Sequence, residues 1–309
     1  MVEILKTVGR TIEKCDSLEA GTWINAVAPT VDEVKSLAAE IELDIDSIKA
    51  ALDEEERAHI EVEENHVLII IDVPIEDRTE NTYFSTIPLG IVLMKDYIVT
   101  ICTKKLPLIE TFCSGKLKSF TTQNQTRFLL LMLFRNAAYF LHYLKRINQM
   151  SSVIERDMIR SYSNKEIVKM LRLQKSLVYF SNSIKTNESV MLKLKRFDFI
   201  RENPDTEELM QDVVIEIEQA MEMARTYTAI ITGVAETLAT LADTQLNRTM
   251  KLLTGVTIIL CIPTIVSGIY GMNVALPGGS NPHTFWFLTG GIAIVAAVLT
   301  FFMKKMRIF

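Results

Sequence analysis

The sequence predicts an α+β region, in which helices pack on a mixed sheet, followed by one long helix and two C-terminal transmembrane helices. Residues 252–303 contain no Asp, Glu, Lys or Arg, and they include two apolar runs of 19 residues, 252–270 and 285–303. A bilayer core about 30 Å thick needs roughly 20 helical residues, so each run is long enough to span it. The residues before these runs are charged and contain both strand-like and helix-like periodicities.

Composition limits the possible partners and the compartment. The net charge of −5 is unevenly distributed, because acidic side chains dominate the first part of the chain while Lys and Arg lie beside the apolar runs. There is no basic stripe of the kind that binds nucleic acid, so no nucleic-acid partner is expected. The first residues carry charges and lack the apolar core of a secretory leader, which favours a cytoplasmic location for the soluble region. Four cysteines without paired spacing are expected to remain reduced.

The region up to about residue 118 combines strands and helices. Strand-like runs lie at residues 23–27, 60–73, 83–92 and 98–102, and a turn at Asp96 and Tyr97 predicts that the last two form a hairpin. Thr30 followed by Glu33 has the spacing of a capping box and predicts the start of a helix. These signals together predict a mixed sheet with helices packed on it.

From residue 122 the pattern becomes helical, with helices predicted at 127–161 and 165–186. Asn203-Pro204-Asp205 interrupts this pattern, and Asp205 with Glu208 resembles a second capping box from which a new helix should begin. About 65 residues then continue to Tyr270, on the order of 100 Å of helix at 1.5 Å per residue. Such a helix needs neighbours: it is either one arm of a coiled hairpin or a stalk that bundles with copies of itself.

One face of this long helix consists of small or polar residues through most of the apolar run. Stepping back by three or four residues from the end of the run, it presents Gly268, Thr264, Cys261, Thr257, Leu253, Met250, Asn247 and Asp243. Helix packing through small residues is one interpretation. The other is a water-filled pore, which requires several copies around an axis, with Leu253 and Met250 as a hydrophobic constriction. Pro263 predicts either a kink or a backbone carbonyl turned toward the pore.

Basic residues predict the orientation in the membrane. Arg248 and Lys251 precede the first apolar run, and Lys304, Lys305 and Arg307 follow the second, whereas the connecting loop has no Lys or Arg. The positive-inside rule then places both termini in the cytoplasm and the loop outside the cell. A multi-pass protein of the plasma or inner membrane is therefore expected.

Gly271-Met272-Asn273 lies between the two spans, after Pro263-Thr264 and Tyr270, and this arrangement resembles the CorA family of magnesium transporters. Residues 51–57 and 60–64 are similar to a segment of that family's soluble domain. The resemblance implies a homopentameric funnel in a lipid bilayer. The resulting domain prediction is an α/β cytoplasmic domain at 1–120, a helical hairpin region at 121–203, a stalk helix continuing into the first span at 204–270, an external loop at 271–284, a second span at 285–303 and a basic tail at 304–309.

The resemblance also implies roles for individual residues. Gly271, Met272 and Asn273 would form the selectivity filter, where amide oxygens contact the water shell of Mg²⁺, an ion that dehydrates reluctantly. Mg²⁺ would also be regulatory, bound between cytoplasmic domains by Asp212 and Asp77, with Glu76 as the alternative to Asp77. Lys304, Lys305 and Arg307 would form a basic ring at the inner membrane face. One departure is that the external loop lacks the acidic residue that is usual in the family.

Other functions are compatible with parts of this pattern. Co²⁺, Ni²⁺ or Zn²⁺ could replace Mg²⁺ as cargo, as in the related ZntB transporters, although the mouth has no His or Cys cluster. A membrane-anchored sensor that does not conduct ions is a further alternative, which the polar stripe disfavours. No enzyme is predicted, because the four histidines are scattered and no nucleophile–base motif or phosphate loop is present.

Overall fold

The computed structural model describes residues 1–9, 11–77, 82–114, 120–160, 164–274 and 283–305. The chain divides into two compact units, Met1–Ala235 and Glu236–Phe309. The strands are β1 (Val2–Val8), β2 (Thr11–Lys14), β3 (Thr22–Val27), β4 (His59–Val62), β5 (His66–Glu76), β6 (Phe84–Met94) and β7 (Tyr97–Cys102). The helices are α1 (Val31–Glu40), α2 (Ile45–Ala51), α3 (Pro107–Cys113), α4 (Gln125–Arg160), α5 (Asn164–Leu194), α6 (Asp198–Arg201), α7 (Pro204–Tyr270) and α8 (Thr284–Lys305).

In the described part of the first unit, seven strands form one sheet in the order β2-β1-β3-β7-β6-β5-β4. All neighbours are antiparallel except β3 and β7, which run parallel, so the predicted mixed sheet is confirmed. The run at 60–73 was predicted as one strand but forms parts of two, β4 and β5, with a turn in which the Glu63 amide donates to the His66 carbonyl. Strands β1 and β2 were not predicted.

Helices α1 and α2 pack on the sheet through a buried aliphatic cluster. Ile24, Ile70 and Ile101 from three strands meet Ile48 of α2 in this cluster. The approach is close at Gly90 of β6, where a Cβ atom would lie 2.3 Å from the Cβ of Ala51. Position 90 therefore requires glycine if α2 is to keep its place.

Helices α4 and α5 contact strands β5 and β6, and their attachment to β5 is polar at Asp72. Strand β4 pairs with β5 only as far as Ile70, and Pro88 of β6 faces Asp72 without an N–H. The side chain of Asn187 replaces a strand here: its Oδ1 accepts from the Asp72 amide at 2.8 Å, and its Nδ2 donates to the Asp72 carbonyl at 2.8 Å. Asn136 Nδ2 donates to the same carbonyl at 2.9 Å. Two buried carboxamides thus satisfy the backbone where the sheet ends.

The first residues of α1 and α7 show whether the two predicted capping boxes form. The Thr30 box is confirmed, because Thr30 Oγ1 accepts from the Glu33 amide and the Glu33 carboxylate accepts from the Thr30 amide. The box predicted at Asp205 is wrong. Helix α7 begins at Pro204, and the side chain of Asn203 accepts from the Asp205 amide at 3.0 Å. Proline suits the first helical position because no intrahelical bond needs its missing N–H there, so the cap falls on the residue before it.

Helix α7 is 67 residues long and continues through Pro263 to Tyr270. The second unit contains its C-terminal part and α8. Two helical segments of the described chain, Asp243–Tyr270 and Thr284–Lys305, are long and apolar enough to cross a membrane. The predicted α+β domain, long helix and two apolar C-terminal helices are thus all present.

Candidate functional site

Most side chains of the two apolar helices are exposed. The most apolar window of Asp243–Tyr270 is 6% buried and that of Thr284–Lys305 is 0% buried. Leu260 and Ile265 are each about 60% exposed, and Phe287 is 81% exposed. Because apolar surface in water is unfavourable by about 25 cal/mol per Å², these faces require lipid or neighbouring subunits.

All eight residues of the proposed pore stripe are exposed on α7. Its two threonines donate their hydroxyl hydrogens to their own helix, from Thr257 Oγ1 to the Leu253 carbonyl at 2.8 Å and from Thr264 Oγ1 to the Leu260 carbonyl at 2.9 Å. Each hydroxyl then has only acceptor lone pairs left for a partner outside the helix. At these two positions the stripe therefore presents hydrogen-bond acceptors, which match the O–H donors of a hydrated cation.

Gly271, Met272 and Asn273 form the turn that ends α7. The Gly271 amide donates to the Ser267 carbonyl at 2.9 Å, and the Met272 amide donates to the Ile269 carbonyl at 3.2 Å. A Cβ atom at residue 271 would lie 3.0 Å from the Ser267 carbonyl oxygen, so a larger residue would disturb the turn. Met272 and Asn273 are exposed directly after it. The residues of the connecting loop at 275–282 lie outside the described part of the chain.

The ends of α8 differ in chemistry. Phe285, Trp286 and Phe287 are exposed at its start, as in the aromatic belt at a membrane–water interface. Lys304 and Lys305 are exposed in its last turn. Arg307, the third member of the predicted basic ring, lies outside the described residues.

An acidic cavity of about 790 Å³ lies in the first unit, beside the end of β5. Its charged lining residues are Glu54, Glu55, Glu56, Asp72, Glu76, Asp77, Arg57 and Lys104. Arg146 forms an ion pair with Glu76 and lies 5.5 Å from the ring centroid of Phe84. The half-buried carboxylate of Asp77 forms no ion pair with a described residue, while its backbone amide donates to the Tyr83 carbonyl. Of the two acids that the sequence left open, Glu76 has an ion-pair partner among the described residues and Asp77 has none.

Asp72 at the base of this cavity was not singled out from the sequence. Its burial raises the pKa of the carboxyl group, and hydrogen bonds from Ser183 and Thr186 oppose that shift. Thr186 Oγ1 donates to Asp72 Oδ2 at 3.3 Å. The sequence feature that could have identified Asp72 is that it is the single acidic residue in the otherwise apolar strand segment 67–75.

One chain does not complete a metal site at the predicted regulatory residues. Asp212 is exposed on α7, and no group of three or more His, Cys, Asp or Glu residues within the described ranges could hold a metal ion. Two thiols of this unit are poorly suited to metal binding, because desolvation raises the pKa of the buried Cys102 to about 12 and that of the half-buried Cys113 to about 11. A metal held by Asp77 and Asp212 would need water or a second subunit to complete its coordination.

These features define an integral membrane protein with an extramembrane α+β domain and two C-terminal spans. The model of the CorA-like Mg²⁺ transporter protein family matches residues 19–305, so the chain belongs to that family. The cobalt/magnesium transport protein CorA of Methanocaldococcus jannaschii is 27% identical over 297 residues, covering 92% of this chain and 90% of that protein.

Solved structures agree on the fold. The complete CorA magnesium transporter of M. jannaschii matches with a TM-score of 0.84 at 24% identity, covering 99% of this chain and 98% of that structure. The cytoplasmic domain of ZntB from Vibrio parahaemolyticus matches with a TM-score of 0.63 at 10% identity, covering 78% of this chain and 98% of that domain. The fold shared with CorA extends through both spans.

Proposed function

We propose that this chain assembles into a homopentameric channel that admits Mg²⁺, and Co²⁺ as a secondary cargo, into the cytoplasm. The observation that carries the proposal is the acceptor stripe of α7, which leads to the Gly-Met-Asn turn at the end of the span. One helix cannot enclose water, but five copies around an axis can do so. The CorA of M. jannaschii, a cobalt/magnesium transport protein, supports this choice of cargo.

The filter would consist of five copies of Asn273, oriented by the turn at Gly271 and Met272. Their amide oxygens would accept hydrogen bonds from the water shell of the ion, so Mg²⁺ would enter without losing its strongly held waters. Gly268, Thr264, Cys261 and Thr257 would continue the path below the filter. Leu253 and Met250 would close it by dewetting, with Asn247 and Asp243 at the inner end.

The membrane potential supplies the driving force in this proposal. Moving a divalent cation inward gains about 4.6 kcal/mol per 100 mV, twice the value for one elementary charge. No coupled ion or nucleotide is needed for uptake. Both termini would be cytoplasmic, with Lys304, Lys305 and Arg307 facing the inner leaflet.

Regulation would use Mg²⁺ bound between Asp77 of one subunit and Asp212 of the next. Within the described chain Asp77 has no ion-pair partner and no three-ligand group is present, and both observations favour a shared site. Bound Mg²⁺ would cancel the repulsion between these carboxylates and stabilise the closed state, while low cytoplasmic Mg²⁺ would release it.

Flux through liposomes tests the filter and the regulation separately. Reconstituted protein should take up Mg²⁺, and Asn273→Ala should abolish uptake, whereas exposed Val153→Ala on α4 serves as a matched control. Normal uptake by Asn273→Ala would refute the filter assignment. Asp212→Ala should keep the channel conducting at millimolar Mg²⁺; unchanged inhibition would place the regulatory carboxylates elsewhere.

A transition-metal cargo is the second candidate. Cys261 is an exposed thiol on the pore stripe, and sulfur ligands favour soft metals. The fold match with the ZntB cytoplasmic domain is compatible with this alternative. Uptake of Zn²⁺ in preference to Mg²⁺, lost in Cys261→Ser, would favour the second candidate over the first.

A further inference from the structure

A surface groove on α5 combines apolar walls with unpaired positive charge. It has a volume of about 570 Å³ and is lined by Val168, Leu171, Arg172, Gln174, Lys175, Val178, Tyr179, Thr228 and Thr232. Val178 is 64% exposed and Tyr179 is 50% exposed. Neither Arg172 nor Lys175 forms an ion pair with a described residue, although the guanidinium of Arg172 lies 5.9 Å from the ring centroid of Tyr83. A partner for this groove should be apolar and negatively charged.

The outer face of α7 has the complementary chemistry within the first unit. Ile215 is 60% exposed there. Its helix neighbours at three and four residues are Gln211, Asp212, Glu218 and Gln219, all exposed. Neither Asp212 nor Glu218 is ion-paired with a described residue. One apolar side chain is therefore flanked by two carboxylates, as the groove requires.

The groove cannot take Ile215 of its own chain. The α7 residues that line the groove are Thr228 and Thr232, and Ile215 lies 13 positions before Thr228. That separation corresponds to about 20 Å along a helix at 1.5 Å per residue. An Ile215 side chain could therefore reach this groove only from another copy of the chain.

We propose that Ile215 of one subunit inserts into this groove of a neighbouring subunit, between Val178 and Leu171, with Glu218 beside Lys175. The proposal rests on the homo-oligomer of the proposed function and locates one of its soluble-domain contacts. Tyr179 belongs to both the groove and the acidic cavity that contains Asp77. Since Asp212 precedes Ile215 by one helical turn, the same docking brings Asp212 to the neighbour's cavity and supplies the missing regulatory ligand.

Directed disulfide formation tests the contact between chains. In a background with the four native cysteines replaced by serine, one tagged chain carries Ile215→Cys and a co-expressed chain carries Val178→Cys. Mild oxidation in membranes should give a covalent product between the two chains, because a disulfide needs Cβ atoms about 3.8 Å apart. The matched control pairs Ile215→Cys with Val153→Cys, an exposed valine on α4 outside the groove.

Charge reversal provides a test that does not depend on cysteine replacement. Lys175→Glu or Glu218→Lys alone should reduce oligomer affinity or crosslinking rate about threefold, as for an exposed ion pair, and the double reversal should restore it. If the double variant did not regain the original oligomer affinity or crosslinking rate, the pairing of Lys175 with Glu218 would be contradicted.

Native mass spectrometry of the same preparations separates the possible failures. Pentamers that form no disulfide between positions 215 and 178 would overturn the docking and leave the channel proposal intact. The same conclusion would follow if the control pair at positions 215 and 153 formed as much disulfide. A lipid held in the groove of an uncrosslinked pentamer would overturn it as well. Monomers alone would overturn both proposals.

Discussion

The attachment of α4 and α5 to the sheet gives a quantitative prediction, because Asn187 binds both the backbone N–H and the carbonyl of Asp72, whereas Asn136 binds only the carbonyl. Asn187→Ala removes the partner of a buried N–H and one of two donors to the carbonyl. An unsatisfied buried donor costs about 1–3 kcal/mol, and the carboxamide cavity adds to that cost. Asn136→Ala leaves the carbonyl bound to Asn187 and also deletes an Oδ1 that has no hydrogen-bond partner among the described residues. Both deletions leave a similar cavity at a fully buried site, so Asn136→Ala should cost about 1–3 kcal/mol less than Asn187→Ala, the penalty of the unsatisfied Asp72 amide.

Thermal unfolding and hydrogen exchange of the full-length protein in detergent measure this difference. At about 2–4 °C per kcal/mol, Asn187→Ala should lower Tm by several degrees more than Asn136→Ala does. Exchange of a peptide spanning residues 68–76 should accelerate mainly in Asn187→Ala, because that variant exposes the Asp72 amide. Equal effects of the two variants, or a larger effect of Asn136→Ala, would refute the assignment of the carboxamide bonds.

Three further predictions concern packing, protonation and the pore. Gly90→Ala should destabilise the protein by about 1–3 kcal/mol in denaturant titration, because its Cβ would overlap Ala51; no change would mean that α2 can shift. The folded-state pKa of Asp72 is raised, so its contribution to the free energy of unfolding decreases as pH rises from the unfolded pKa through the folded one. Asp72→Asn should remove that pH dependence, and an unchanged profile would contradict the assignment. Thr264→Val should reduce Mg²⁺ flux about tenfold by deleting an acceptor, whereas Thr264→Ser should retain it.

Local chemistry made some elements predictable from the sequence. The Thr30 cap depends on residues within one helical turn, and the spans depend on composition, so both were predicted correctly. Strands β1 and β2 were missed because they lie toward one edge of the sheet, where charged side chains such as Glu3 and Lys14 weaken the alternation. The cap of α7 was misplaced by two residues because Pro204 was treated as an interruption instead of a first helical residue.

The site was less predictable where distant residues decide its properties. The turn at Gly271 follows from neighbours within four residues. In contrast, the proposed choice of Asp77 over Glu76 depends on Arg146, which is 70 positions away and forms an ion pair with Glu76. The polar support of Asp72 comes from Asn136 and Asn187, at separations of 64 and 115 positions. Sequence spacing carries no information about such contacts.

The proposed division of the Mg²⁺ ligands Asp77 and Asp212 between chains gives a reason why an ion sensor of this kind would work only in an assembly. A subunit that completed its own Mg²⁺ site would bind the ion whatever its neighbours did, and binding could then shift no equilibrium between subunit arrangements. Asp77 and Asp212 avoid this outcome in the proposed arrangement, since each subunit supplies too few ligands alone. The docking of Ile215 would add a contact that persists without metal, so the soluble domains would separate locally around Asp212 while the pentamer stays intact. Ion release could then open the pore without dissociating the subunits.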